Sequence, residues 1–344
     1  MKKHLWIAAL LPLIFVGCKD DKVSEAPTPE EASVQLNNLA NQAETDVVTL
    51  IESEGVRGMQ HLLELAESFD FSARKKDQRE IKMFLNELTQ SLIYGPNARV
   101  TEDDDLSFDQ IKGLYEWNPT TETFDESESD FFIVRFPTEG SATNNAELKI
   151  SELEFVTIKE DNGDFIDEYQ LPSAIDAYLK VDDETVIELD ASIDWSSDAL
   201  PEKVDLVLFV DPFTFTLGFD ESFPQMSSLV TSVKLEDEVI LGVDVDVEFT
   251  SSDKEDPKKI EGFIQYYNLK IAGSVDAESL DNDPEADPND HINLELLLDD
   301  AKVGDIMFED DLAYVVYADG SKELLEELLQ PVIDEIEDLL SDFE

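Results

Sequence analysis

Two hydrophobic periods run along this chain, and they change near residue 110. Between residues 32 and 95 apolar positions return every three or four residues. Leu36, Leu39, Ala40, Ala43, Val47, Leu50 and Ile51 form one stripe, and Gly55 follows as a stop. Met59, Leu62, Leu63 and Ala66 continue a second helix. Asp77-Gln78-Arg79-Glu80 reads as an Asp-led capping box before Ile81, Phe84, Leu85, Leu88 and Leu92, and Gly95-Pro96 ends that helix. His61 falls in the second helix with no other His or Cys beside it, so it reads as a half-buried structural residue.

Beyond residue 110 the period is two. Phe213, Phe215, Leu217 and Phe219 alternate with Thr214, Thr216 and Gly218. Val239, Leu241, Val243, Val245, Val247 and Phe249 alternate with Asp244, Asp246 and Glu248. One apolar face and one acidic face is the pattern of antiparallel strands wetted on one side. Strands do not alternate with helices, which argues against a doubly wound nucleotide fold.

The strand region repeats itself. LKVDDETVIELDASIDW, from Leu179, matches VKLEDEVILGVDVDVEF, from Val233, without a gap at an offset of 54. Lys180 falls on Lys234, Asp183 on Asp237, Glu184 on Glu238 and Asp190 on Asp244. Chance alternation explains apolar over apolar, but not the shared SSD at Ser196 and Ser251 or the Pro-x-Lys that follows. The sequence therefore predicts a duplicated four-strand unit, 179–222 and 233–279. A looser third copy is expected from Val316, with Asp319-Gly320 at its turn. Its second arm becomes a helix, Leu324 to Leu340, kinked at Pro331. The acids at Asp182-Asp183 and Glu236-Asp237 fall at hairpin tips, where Asp favours turns; the functional alternative is a cation site repeated at each tip.

These elements predict an α+β fold. N-terminal helices (32–95) pack on a large antiparallel β-meander (110–318) with an internally duplicated four-strand unit, and a C-terminal helix (321–341) closes the domain, which spans 32–344. A meander carrying helices on one face is similar to the carrier fold of periplasmic lipoprotein chaperones and lipid-binding lipoproteins. That resemblance is architectural and carries no motif residues.

The first residues have a different logic. Lys2 and Lys3 precede an apolar run, Leu5 to Val16, that is too short to span a bilayer, and Gly17 precedes the only cysteine, Cys18. Phe15-Val16-Gly17-Cys18 resembles the lipobox of bacterial lipoproteins, with Phe15 where Leu is usual. The resemblance implies cleavage of a signal peptide (1–17) between Gly17 and Cys18 and diacylation of the thiol. Two or more acyl chains hold a membrane stably, at about 0.8 kcal/mol per buried methylene. The plain alternative is an ordinary signal peptide with an incidental Cys. Lys19-Asp20-Asp21 resembles the lysine-plus-two-acids signal with which one group of Gram-negative bacteria sends lipoproteins to the cell surface; its plain reading is the start of a charged tether. Residues 18–31 carry the lipidated Cys and an acidic, Pro-containing linker. Its 19–31 stretch could extend roughly 40 Å at ~3.3 Å per residue. The expected location is the outer membrane, lipid-anchored, on the cell surface or otherwise on the periplasmic face.

Charge narrows the partners. Lys and Arg number 24 against 82 Asp and Glu; without Lys2 and Lys3 the mature net charge is −60. Nucleic acid is excluded, because phosphate binding needs a cationic surface, and membrane contact is expected only through the lipid anchor. Disorder does not explain the acid, since 42% of residues are hydrophobic and fall in clear periods. Two readings remain: a strongly solvated surface suited to a salty habitat, or deliberate binding of divalent cations.

Catalysis needs a tuned base, an activated nucleophile or a metal. The mature chain has His61 and His291, no thiol besides Cys18, and no GxSxG, HExxH, P-loop or GxGxxG. No catalytic residue is assigned and no enzyme is expected. No cofactor is expected, with Ca²⁺ as the single candidate. DNDPEADPND offers Asp281, Asp283, Glu285, Asp287 and Asp290 as oxygen ligands. It departs from the EF-hand, with Ala286 at the Gly position and Ile292 at the closing Glu, and its plain reading is a solvated acidic loop. Tyr266, Tyr267, Phe263 and Trp117 could line a ligand groove; as strand residues they read more simply as core or cross-strand pairs. Three functional readings follow: a non-catalytic binding or structural lipoprotein whose partner is an envelope protein, a carrier of lipid or another apolar ligand, and a Ca²⁺-dependent surface adhesin.

Overall fold

The computed structural model describes residues 108–161, 166–283, 286–310 and 312–330, residues 52–58, and short runs or single positions between 28 and 61. The signal peptide, Cys18, Lys19, Asp20 and Asp21, nearly all of the linker, most of 32–95, Glu285 and the chain after residue 330 lie outside the described residues. Among the described residues sixteen strands form a mixed sheet. The chain divides into two compact units, one of Leu50–Thr214 and one of Met1–Thr49 with Phe215–Glu344.

The 50–214 unit holds a short helix, α1 (Phe108–Ile111), and strands β1 (Gly113–Asn118), β2 (Thr123–Ser127), β3 (Phe132–Phe136), β4 (Ala146–Asp161), β5 (Ile166–Val181), β6 (Glu184–Trp195) and β7 (Pro201–Val210). Their hydrogen-bonded order is β7-β6-β5-β4-β3-β1-β2. The expected meander is wholly antiparallel, but β1 pairs with β3 in parallel. The β1–β2 hairpin turns outward, so β3 must reach the other side of β1 and run in its direction.

Strand β3, FIVRF, shows why the core lies where it does. Phe132, Val134 and Phe136 are buried while Ile133 and Arg135 are half-buried, the period-two alternation of a half-wetted strand. Phe132 and Phe136 join Ile150, Leu179, Val186 and Ile111 in one core, and truncating either phenylalanine to alanine is expected to cost about 3–5 kcal/mol. The long β4–β5 hairpin keeps its apolar residues inward by two bulges. Ser151 is an extra residue on β4 and Ser173 on β5, so the buried set steps from Leu148 and Ile150 to Leu153. Pro172 stands at the second bulge, where a strand tolerates it, and its carbonyl accepts Trp195 Nε1 at 2.8 Å.

The second unit holds most of β8 (Phe213–Asp220), which begins two residues before the boundary. It also holds β9 (Met226–Leu235), β10 (Glu238–Phe249), β11 (Pro257–Tyr266), β12 (Leu269–Asp276), α2 (Ala277–Asn282), β13 (Ile292–Leu298), β14 (Ala301–Glu309), β15 (Leu312–Tyr317) and β16 (Lys322–Leu324). Consecutive strands from β9 onward pair antiparallel. Leu294, Leu296, Leu298, Ile306, Val315 and Leu328 centre its core. Residues 325–330 are helical; Leu324, expected as the first helical residue, instead ends β16.

Three hairpins share one construction. β5–β6, β9–β10 and β13–β14 each turn on two acids: Asp182-Asp183, Glu236-Asp237 and Asp299-Asp300. The third residue after each turn is an extra, buried one: Val186, Ile240 and Val303. The bulge carbonyls are used alike, Val186 O accepting Asp211 N at 3.0 Å and Ile240 O accepting Tyr267 N at 2.8 Å. β6 and β10 both have 12 residues, β7 and β11 both 10, β8 and β12 both 8. The third hairpin of this kind is therefore β13–β14 at Asp299-Asp300. Asp319-Gly320, expected to open a third copy, sits in the β15–β16 turn, which has no such bulge.

The bulge also changes the faces. Val239 is opposite Lys234 and Leu241 opposite Val233, so the two lie on opposite faces although their spacing predicts one. Leu241 is 38% exposed. Along β8 only Phe213 is buried and the other seven residues are half-buried, so Phe215, Leu217 and Phe219 do not form the one-sided apolar stripe that their alternation suggests.

Helical residues are described at 34, 38–39, 42, 45–46, 48–50, 54–58 and 61. Gly55, read as a stop, lies inside the helical run 54–58. The break comes earlier, at Ser53, whose Oγ accepts Val56 N at 3.3 Å in the manner of an N-cap.

Candidate functional site

Two surfaces concentrate polar chemistry, one in each unit. In the second unit the β11–β12 turn and the β13–β14 tip enclose a cleft of about 360 Å³ with the start of β10. Glu238, Val239, Gln265, Tyr267, Asn268, Lys270, Asp299 and Asp300 line it. The tip is pinned from below: Asn268 O accepts Asp299 N at 2.9 Å, and Asn268 Nδ2 donates to Asp299 Oδ1 at 2.9 Å. Asn145 holds Asp182 by the same pair of bonds, at 2.8 and 3.3 Å. Lys270 Nζ reaches Asp300 Oδ1 at 3.2 Å and lies over the Phe263 ring. The acids of the tip are thus held by an amide and a lysine that the fold itself supplies.

Tyr267 forms one wall. Its backbone is left-handed, φ +50°, an uncommon state for a bulky residue. Its hydroxyl donates to Asp46, which is only 5% exposed and also accepts Gln42 Nε2 at 3.1 Å. Burial, and next the bond to Asp46, push the Tyr267 phenol well above its ordinary value. It stays protonated at neutral pH and serves as a donor, not a base. The neighbouring Tyr266 donates to Leu39 O at 3.4 Å.

The 50–214 unit carries a charge ladder on the outer face of β2, β1, β3, β4 and β5. Asp125 is opposite Glu116, Glu116 opposite Arg135, Arg135 opposite Glu147, and Glu147 opposite Lys180. Cross-strand partners share a face, so these five side chains form one row. Arg135 Nε binds Glu147 Oε2 at 2.8 Å and its terminal nitrogen Glu116 Oε1 at 3.3 Å. Tyr178 OH donates to Glu147 Oε1 at 2.8 Å. Burial pushes the Glu147 carboxyl up, but the hydrogen bonds from Arg135 and Tyr178 outweigh it and leave the group below its ordinary value. Burial, then the bond to Glu147, push the Tyr178 phenol up to about 12. Lys180 lies over the Tyr178 ring at 4.8 Å, and Lys149 over Phe131 at 3.9 Å and Tyr178 at 5.8 Å.

The acidic loop has a structural use for its carboxylates. Asp276 caps α2 by accepting Ser279 N at 3.0 Å, and Asp287 accepts Asn289 N at 3.0 Å at the head of a 3-10 turn, Pro288–Asp290. Asn289 then binds Phe308 through both N and O, at 2.7 and 2.8 Å. Asp281 lies in α2, Asp283 at its C-cap, and Asp290 in the 3-10 turn. Among the described residues no three His, Cys, Asp or Glu come together in a way that could hold a metal ion; Glu285 is outside them.

The aromatic set divides between the two units. Trp117 packs edge-on against Phe124 at 5.5 Å in the 50–214 unit, while Tyr266, Tyr267 and Phe263 belong to the other. His61 is helical and half-buried, and His291 ends the 3-10 turn. The ladder and the Asn–Asp tip clamps are not visible in the sequence because their partners are 9 to 37 residues apart, and only strand register brings them together. No helix among the described residues is long and apolar enough to cross a membrane. No family model, curated protein or solved structure matches the chain.

Proposed function

We propose that this chain is a cell-envelope lipoprotein, anchored through Cys18 and displayed on the cell surface, that works as a non-catalytic binding module. The observation that supports the non-catalytic reading is that the polar groups of both surfaces are spent on one another: Arg135 and Tyr178 both bind Glu147, Tyr267 binds the buried Asp46, and Asn268 and Lys270 hold Asp299 and Asp300. A catalytic acid or base must reach the proton of a substrate instead. The titration shifts run the same way, with Tyr178 and Tyr267 pushed up and Glu147 down. Such groups hold shape. The anchor reading rests on Gly17-Cys18 after the apolar run and on Lys19-Asp20-Asp21 behind it.

The finer architecture belongs to the same proposal. Residues 32–95 are helices laid on the sheet, supported by Tyr266 on Leu39, Tyr267 on Asp46 and the approach of Gly55 to Val186. Residues 179–222 and 233–279 are duplicated units, supported by their equal strand lengths and matching bulges. The acid-lined cleft suits an apolar ligand poorly, since apolar carriers line their cavities with hydrophobic side chains.

Metabolic palmitate labelling tests the anchor. The wild type should take up label and Cys18→Ala should not; label persisting in the variant would overturn the proposal. Protease shaving of intact cells tests display: the protein should be lost from whole cells without lysis, and full protection would place it on the periplasmic face.

A further inference from the structure

We propose that the face of β9 and β10 turned away from the core is a docking site for a basic amphipathic helix of a partner protein. This deepens the binding-module reading and rests on it. Met226, Ser228, Val230 and Ser232 share that face, because β9 runs without a bulge. Met226 is 45% exposed and Val230 47%, and Phe223, in the turn that leads into β9, is 59% exposed. Single exposed apolar residues are ordinary, but a set of them rimmed by polar groups marks an interaction surface.

The ground around the row is low. Ser228 stands between Met226 and Val230. Thr216 Oγ1 and Ser232 Oγ are 2.7 Å apart, so Thr216 of β8, and Gly218 two residues on, line the same face. A Cβ on Gly218 would lie 4.0 Å from the Val230 Cβ. Two apolar side chains thus rise from a floor of small residues, roughly 14 Å apart at ~3.4 Å per residue. An α-helix covers that length in about two and a half turns. An apolar stripe on one helix face is the complement of such a row.

The charge beside the row says which helix fits. On β10 Glu248 is opposite Met226, Asp246 opposite Ser228 and Asp244 opposite Val230. Lys258 meets Glu248 at 2.6 Å, while Asp244 and Asp246 have no cation among the described residues. Burial, then Asp246, push the Asp244 carboxyl up. A helix with lysine or arginine along one side of its stripe would set cations over these two acids. A second copy would set acid against acid on a chain of net charge −58, and an anionic bilayer is repelled in the same way.

The fold itself does not require the valine. In the matching β5–β6 hairpin the residue opposite Asp190, the equivalent of Asp244, is Asp176. One hairpin carries a carboxylate where the other carries an exposed apolar side chain.

The test titrates the mature chain with two peptides of equal leucine and lysine content. One spaces leucine at the helical period; the other alternates leucine with lysine. The first should bind one to one and the second at least tenfold more weakly. Val230→Asp should weaken the first about tenfold although it adds a negative charge, with the urea midpoint close to wild type. Met226→Ser should also weaken it, and keeps the test open if Val230→Asp does not fold. Leu312→Asp, the same kind of change at a 43% exposed position on β15, should leave binding close to wild type. Equal binding of the two peptides, or equal effects of Val230→Asp and Leu312→Asp, would overturn the proposal. So would self-association, or binding to phosphatidylcholine vesicles, that Val230→Asp abolishes, since either gives the face another occupant. Palmitate labelling and protease shaving do not involve this face, so failure here is distinguishable from failure of the anchor.

Discussion

Gly55 stands against the backbone carbonyl of Val186 with room for a hydrogen but not for a methyl. A Cβ on Gly55 would meet that oxygen at 2.6 Å and the Ile187 side chain at 2.9 Å. The obstructing atom is backbone, held in a bulge whose carbonyl already accepts Asp211 N, so it cannot swing aside. Gly55→Ala should therefore destabilise the protein by about 1–3 kcal/mol, read as a lower urea midpoint at unchanged slope. An unshifted midpoint would show that residues 54–58 do not rest on this bulge.

Tyr267→Phe removes a hydrogen bond from a carboxylate that is almost wholly buried. Asp46 would retain Gln42 alone, and under-solvated charges are costly, so a loss of about 1–3 kcal/mol is expected. Tyr266→Phe removes a longer bond to a carbonyl that has a second lone pair, and should cost about 1 kcal/mol or less. Urea melts of both variants check the order. If Asp46→Asn is made first, Tyr267→Phe should cost less, which a double-mutant cycle would show.

Glu147 should make stability depend on acid. Its folded value lies below its ordinary one of 4.5. A depressed carboxylate gives stability that is fully present above the unfolded value and lost as pH falls through the folded one. The stability gap between wild type and Glu147→Gln should thus be largest near pH 6 and shrink below about pH 4.5. Melts across that range check it; a gap that is constant with pH would mean the Arg135–Glu147 pair contributes nothing through charge.

Tyr178 makes the opposite prediction at high pH. Its value is raised from 10 to about 12, so its contribution is complete below pH 10 and is lost as pH climbs toward 12. Phenolate absorbance should show Tyr178 ionising after the ordinary tyrosines. Glu147→Gln should bring it down, because the negative charge beside the phenol is gone.

How much of this could be read beforehand varies by element. The strands of Phe213–Phe219 and Val239–Phe249 are legible because their alternation survives whatever covers them. Which face they bury is not, because the Ile240 bulge moves Val239 away from Leu241, and no residue type marks a bulge there. The β4–β5 hairpin hides its period behind Ser151 and Ser173, the two extra residues. Asp182-Asp183 and Glu236-Asp237 are legible as tips from the repeat. Asp299-Asp300 is not, since β13 and β14 share the turn and the bulge with the other two hairpins but not their sequence. Of the polar surfaces only the residue types are visible. Arg135 finds Glu147 through register, and Asn268 finds Asp299 through a turn on the neighbouring hairpin.

The mature N-terminus tests the anchor through Cys18 most directly. Mass spectrometry of protein extracted from membranes should find a chain that begins at Cys18, lacks residues 1–17 and carries acyl chains on that residue. A chain that retains those residues, or one that starts elsewhere with Cys18 as a free thiol, would contradict it.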